Sequence, residues 1–251
     1  MSGHSKWASI KHQKGVTDAR RGQLFTKLTR ELIVVVRQGG SNSDTNFRLR
    51  LAIQKARDNN MPHDNIEKAI KRGSGELEGA SLAEMVLEGY GPGGAAILVE
   101  ALSDNRNRTL QEIRNIFSRS GGGLGESGSV TWLFDQKGLI MVEANNLDTE
   151  ELTLQAIDAG AEDVNIEDAH LVIYTKPKEL EVVRTALEQK NIPIASAELS
   201  MVPKTTIELE EKAALQMLKL LHKLEELDET QSVCSNVDFS DSVLKKYQEQ
   251  V

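Results

Sequence analysis

From Asp18 to Gly39 the apolar positions return every three or four residues. Stepping 100° per residue puts Leu24, Phe25, Leu28, Leu32, Val35 and Val36 on one face, with Arg20, Lys27, Arg30 and Arg37 opposite. That separation exists only at the helical period. Thr17 or Asp18 is a suitable N-cap, and Gly39-Gly40 a suitable left-handed stop. A second helix is predicted over Asn46 to Asn59, with Leu49, Ala52, Ile53 and Ala56 as its buried stripe. Arg48 with Lys55, and Arg50 with Arg57, line the two edges of that stripe. Pro62 suits the first turn of a third helix in which Ile66, Ala69 and Ile70 face inward. Lys68, Lys71 and Arg72 then sit near the negative end of its dipole, before Gly73. Three such helices make a small basic bundle.

Gly73 to Ala80 reads as a linker, and beyond it the period changes. Strands are expected over Ala83 to Tyr90 and Ala95 to Leu102, separated by the turn Gly91-Pro92-Gly93-Gly94. A helix near Arg108 to Arg119, a glycine-rich connection and a strand over Ser129 to Phe134 follow. Then come Leu139 to Ala144, a helix from Thr149 to Ala159, strands Asp163 to Glu167 and His170 to Thr175, a helix opened by Pro177, and a strand around Ile192 to Met201. This order is β-α-β-β-α-β, the ferredoxin-like arrangement. A long amphipathic helix over Glu208 to Glu229, with Leu218, Leu221 and Leu224 in its stripe, and a strand over Ser232 to Phe239 are expected to return to the middle of the molecule. The fold class is α+β. The division expected is a basic helical domain with its tail over 1–75, an α/β middle domain over 80–136 and 204–251, and a ferredoxin-like domain over 137–203.

Charge divides the chain at the same linker. The formal net charge is −8, yet the first 75 residues carry 15 Lys and Arg against 6 Asp and Glu, and the remaining residues 15 against 32. One end is therefore +9 and the rest −17. Fields at a protein surface are screened within about 10 Å at ordinary salt, so the local excess decides which partners bind. Aromatic residues are only 4%, which favours charge over stacked rings as the basis of nucleic-acid contact. The one cysteine, Cys234, forms no internal disulfide, in keeping with a reducing compartment. The apolar run Leu32 to Val36 is far short of the roughly 20 residues that span a bilayer. The acid-free first 17 residues superficially resemble a transit peptide, but they carry no Arg, and Gly3 and Gly15 interrupt any helix. Ser2 stands where N-myristoylation requires Gly. A cytoplasmic location is expected.

The tail from Gly3 through Lys6, Trp7, Lys11 and Lys14 is too polar to pack and is placed to reach along a phosphate backbone. Trp7 either stacks on a base or pins the tail to the bundle. Arg20, Arg30 and Arg37 of the first helix are not balanced by acids four positions away, unlike the cations of a merely solvated helix. Gly123 to Gly128 matches the spacing of the dinucleotide fingerprint, but it follows a helix and opens a strand, the reverse of what phosphate binding requires, so a flexible connection is the better reading. No Walker-type loop is present. Around the strand-to-helix junction Asp104 to Arg108, the cations Arg106, Arg108 and Arg119 form a possible second patch. They serve either as another nucleic-acid contact or as partners for acidic neighbours. The five His, at 4, 12, 63, 170 and 222, show no metal-ligand spacing. Glu225, Glu226, Asp228 and Glu229 read as a solvated helix end and as a plausible dock for the basic domain. No catalytic residue, metal site or cofactor is expected. In the ferredoxin-like strands only Tyr174 stands where stacked rings would be needed.

GHSKW at Gly3 to Trp7, MPHDNIEKAIKRGSGE at Met61 to Glu76, EGYGPGGAAILVEALSDNRNRT at Glu88 to Thr109 and GESGSVTWLF at Gly125 to Phe134 resemble the YebC/PmpR family over essentially the whole chain. The resemblance implies a helical N-terminal domain and two α/β domains, one inserted in the other. Family members are described as probable DNA-binding transcriptional regulators, mitochondrial relatives as translational activators, and some bacterial members as ribosome-associated translation factors. It carries basic positions onto Lys6, Lys11, Lys14, Arg20, Arg21, Lys27, Arg30, Arg48, Arg50, Lys71 and Arg72, to which the helical stripe adds Arg37. His63 stands where Lys is common in the family, and Cys234 where an aromatic is common. The expected function is a non-enzymatic regulator of gene expression whose partner is DNA or ribosomal RNA, with no membrane and no small-molecule substrate. The alternatives are an RNA-binding translation factor and a protein adaptor that docks a basic partner on the acidic half.

Overall fold

The computed structural model describes residues 18–79, 81–143, 148–167 and 170–250. The first three elements are helices: α1 (Asp18–Gly39), α2 (Phe47–Asp58) and α3 (His63–Ser74). Their apolar stripes meet, burying Leu28, Leu32, Val35 and Val36 against Leu49, Ala52, Ala56, Ile66 and Ala69. Asn46 fixes the α1–α2 corner. Its side-chain oxygen accepts from the Leu49 N–H at 3.1 Å, and its amide nitrogen donates to the carbonyls of Val35 at 3.0 Å and Gly40 at 2.8 Å. Val34, on the far side of α1 from that stripe, is also buried, because α1 lies against the rest of the molecule.

Gly73 does not stop α3 as its position suggests. The helix runs on to Ser74, and Gly75, at φ +87°, takes the left-handed cap. Gly73 instead allows close approach to α1. A Cβ there would lie 2.7 Å from Val36 Cβ and 2.8 Å from the Ile33 carbonyl oxygen.

The next elements are β1 (Ala83–Tyr90), β2 (Ala96–Ser103), α4 (Arg106–Arg119), β3 (Gly123–Leu124) and β4 (Phe134–Glu143). Then follow α5 (Thr149–Asp158), β5 (Asp163–Glu167), β6 (His170–Thr175), α6 (Leu180–Gln189) and β7 (Ile194–Pro203). The chain closes with β8 (Ile207–Glu208), α7 (Glu211–Glu225), β9 (Thr230–Ser235), β10 (Val237–Asp238) and α8 (Asp241–Gln248). One antiparallel sheet has the order β3-β1-β2-β9, so the C-terminal segment does return to the middle of the molecule. Strand β2 is buried on both faces. Ile97 and Val99 meet Ile113, Phe117, Met217, Leu221 and Tyr247 from α4, α7 and α8, while Ala96 and Leu98 meet Val130, Phe134 and Cys234.

The second sheet, β5-β6-β4-β7, is antiparallel throughout and has the ferredoxin-like order. Helices α5 and α6 cover one face, burying Leu152, Ala156, Leu180, Val183 and Leu187 on Ile140, Val142, Leu171 and Ile173. Leu51 of α2 joins that cluster.

Several expectations need correction. Ser129 to Phe134 is no strand: Thr131–Leu133 forms a 3-10 turn, because the surrounding amides are drawn to a carboxylate described below. Helix α7 is shorter at both ends than its apolar pattern, since Ile207–Glu208 pairs with Val237–Asp238 and Thr230 is already in β9. The strand expected over Ser232 to Phe239 is accordingly two short strands, and Pro177 precedes α6 in a turn. Helix α8 has no counterpart among the predicted elements; Val243, Leu244 and Tyr247 bury its inner face.

Candidate nucleic-acid interface

Lys27 and Arg30 lie on the polar side of α1 and are only partly exposed, because that side faces the turn between α7 and β9. Lys27 Nζ donates to the Glu225 carbonyl at 2.5 Å, and the Gln23 side chain donates to the Glu226 carbonyl. Arg30 Nη2 stands 3.6 Å from Glu229 Oε1. The same oxygen accepts from Arg108 Nη2 at 3.0 Å, and that Arg108 nitrogen also meets Asp104 Oδ1 at 2.8 Å. Two arginines from separate predicted patches thus share one carboxylate whose side chain is 12% exposed. Asp104 above all, and then the Glu229 hydrogen bond, hold the Arg108 pKa above its ordinary value. Arg30 Nη1 is buried without a hydrogen-bond partner among the described residues.

The α2 cations meet a different acidic surface. Arg50 grips Glu181 of α6 in a two-pronged pair, Nε to Oε1 at 2.7 Å and Nη2 to Oε2 at 2.6 Å. That hydrogen bonding raises the Arg50 pKa and lowers that of Glu181. Arg48 reaches Gln38 at 2.6 Å and Glu84 of β1 at 3.4 Å. Lys55 Nζ lies 3.4 Å from Glu31 and 3.2 Å from Glu198 of β7. Glu31 first, against the cost of burial and with help from Glu198, holds the Lys55 ammonium well above its usual range.

Other cations remain open. Arg57 on α2, and Lys68, Lys71 and Arg72 on the outer face of α3, are exposed and form no ion pair among the described residues. Arg106, Arg114 and Arg119 are likewise exposed and unpaired on α4. Arg21 and Arg37 are exposed on α1, though not without partners. Arg20 lies in the first turn of α1, and Lys6, Lys11 and Lys14 lie outside the described residues, as does Trp7. Among the described residues no group of His, Cys, Asp or Glu has the arrangement of a metal site, and no helix is long and apolar enough to cross a membrane.

Sequence reasoning missed the centre that organises the glycine-rich connection. Glu88, 5% exposed, accepts the N–H of Gly128 at 2.6 Å on one oxygen, and those of Val130 at 2.7 Å and Thr131 at 2.8 Å on the other. Burial opposes the ionised form, but the three backbone N–H groups outweigh it and hold the pKa below the usual carboxylate value. The connection is therefore pinned along this stretch, contrary to the flexible link expected. Trp132 and Tyr90 beside it are 65% and 42% exposed, whereas Tyr174, the ring singled out from the sequence, is buried. Nothing in the spacing marks Glu88, an acid in a strand like many others.

Comparison with known proteins places this geometry among relatives. The model of the TACO1/YebC protein N-terminal domain matches residues 5–76, and that of the TACO1/YebC second and third domain matches residues 82–237. A probable transcriptional regulatory protein of Dehalococcoides mccartyi is 60% identical over 250 residues, covering 100% of both chains. One from Herpetosiphon aurantiacus is 50% identical over 251 residues, again covering 100% of both. The crystal structure of a conserved hypothetical protein, Aq1575 from Aquifex aeolicus, superposes with a TM-score of 0.87 at 48% identity, covering 94% of this chain and 98% of that one. The chain belongs to the TACO1/YebC family.

Proposed function

We propose that this protein is a non-enzymatic regulator of gene expression that binds nucleic acid through its basic N-terminal helices. The observation that carries the reading is the set of open cations on α3, where Lys68, Lys71 and Arg72 point outward from the buried stripe of Ile66 and Ala69 with no acid among the described residues paired to them. Unpaired cations on one helical face meet phosphates without first giving up internal partners. The relatives' names as probable transcriptional regulatory proteins support a regulatory role in the same direction. In this reading Lys6, Lys11 and Lys14 of the tail and Arg106 on α4 add phosphate contacts to those of the α3 face. The division into three units, 1–75, 80–136 with 204–251, and 137–203, is part of this reading; the three large buried clusters support it, with Leu51 of α2 reaching into the third. The protein acts in the cytoplasm.

The test is the salt dependence of binding to a polyanionic duplex. Each phosphate neutralised contributes about −0.9 to the slope of log K against log salt. Replacing Lys68, Lys71 and Arg72 together by Gln should flatten that slope by about 2 to 3 while helicity stays unchanged. A variant with parental affinity and slope would overturn the assignment of this face.

A further inference from the structure

We propose a second contact, resting on the nucleic-acid reading above: Trp132 and Tyr90 form a stacking platform for an unpaired nucleobase. The two side chains come from different elements and converge on one acceptor. Tyr90 Oη and Trp132 Nε1 each donate to the Ser129 carbonyl at 3.1 Å. Both rings remain open to solvent, at 42% and 65% exposure, in a chain that buries most of its large apolar side chains. The segment between them is held by the three N–H bonds to Glu88, and the Gly125 N–H bonds to the Glu88 carbonyl at 2.8 Å. The rings are thus set on a fixed support, with Gly125 beside Tyr90, where backbone rather than side chain borders the ring.

Exposed aromatic pairs serve peptides as well as bases, and the hydrogen bonding separates the two. Recognition of a proline-rich peptide relies on ring N–H and O–H groups donating to peptide carbonyls, and here both donors are already directed to Ser129. What remains is ring surface, which is all that base stacking requires. Strand β1 connects this platform to the bundle. Its residues Glu84, Val86, Glu88 and Tyr90 share one face, Glu84 is paired with Arg48 of α2, and Val86 between them is 53% exposed. At about 3.3 Å per residue the strand places the rings roughly 20 Å from the bundle contact, a distance one strand of nucleic acid spans while its phosphates follow the cations.

The probes are a single-stranded RNA, a single-stranded DNA of the same sequence, and the corresponding duplexes, added to the full chain carrying Trp7→Phe so that Trp132 is the sole tryptophan. Either single strand should quench Trp132 fluorescence, and the duplexes should not. Trp132→Ala should weaken single-strand binding about 5- to 100-fold, as loss of one stacked ring does, with the salt slope unchanged. Trp132→Phe should restore most of the affinity. Single-strand binding that keeps its salt slope and its affinity in Trp132→Ala, without quenching, would sink the platform and leave the phosphate-binding face standing. Loss of salt-dependent binding in every arm would overturn both. Quenching by a proline-rich peptide and by neither oligonucleotide would overturn the nucleobase in favour of a peptide.

Discussion

Glu88→Gln isolates the carboxylate that holds the stretch from Gly128 to Thr131. In the parent, one oxygen receives the Gly128 N–H and the other those of Val130 and Thr131, at 2.6 to 2.8 Å. Glutamine keeps one acceptor oxygen and puts an amide NH2 where the other stood, so at least one backbone N–H loses its acceptor and faces a donor. A hydrogen bond to a charged acceptor contributes about 1.5–3 kcal/mol, and a buried N–H left unpaired costs about 1–3 kcal/mol. The local structure should therefore be weakened by about 2–3 kcal/mol, which speeds amide exchange at Gly128, Val130 and Thr131 by about 30- to 140-fold. Amides of β6, in the other sheet, should be unaffected. The parent also carries a pH signature. Because the folded pKa of Glu88 lies below its ordinary value, the stabilisation is present above about pH 4.3 and is lost as pH falls through the folded pKa. Trp132 emission should report that loss in the parent, in the Trp7→Phe background, and show no corresponding step in the variant. Exchange rates within threefold of the parent's, with an unchanged acid transition, would mean that the carboxylate does not hold this segment.

Replacing Glu229 by Gln removes the negative charge shared by Arg30 and Arg108, and should tighten binding of a polyanionic duplex about two- to fivefold at low salt and not at high salt. Unchanged low-salt affinity would show that this carboxylate does not compete with phosphate. Cys234 is buried, and burial, then the nearby Glu100, push its thiol up to about 12, so alkylation at pH 8 should follow unfolding; rapid modification of the native protein would contradict the packing. Gly73→Ala forces a Cβ within 3 Å of Val36 and the Ile33 carbonyl, and should destabilise the bundle by about 1–3 kcal/mol in a denaturant titration. A midpoint equal to the parent's would refute the close approach.

Periodicity reports the angle of a residue about its own helix axis and says nothing of what stands opposite. The ends of α2 and β6 and the C-terminal end of α1 were legible for that reason, since caps and stripes are local, and so was the βαββαβ order. The same limit explains Lys27 and Arg30. Their angle is polar, but the polar side of α1 is covered by the turn after α7, so these cations meet carbonyls and a carboxylate. The excess of +9 against −17 correctly implied that the basic helices would find acids, and the cluster after Leu224 was a sound choice of dock. Charge sums cannot say which groups make the contact. Glu225 and Glu226 receive Lys27 and Gln23 through their backbone carbonyls, which no side-chain substitution removes, while Glu229 alone of that cluster brings its carboxylate to Arg30. Neutralising the whole cluster would therefore mix the Arg30 contact with other changes, among them loss of the Glu226 carboxylate that stands 3.4 Å from His222 Nε2. Glu229→Gln separates them, because it leaves both carbonyl contacts in place and alters the single oxygen at which the bundle and α4 are joined.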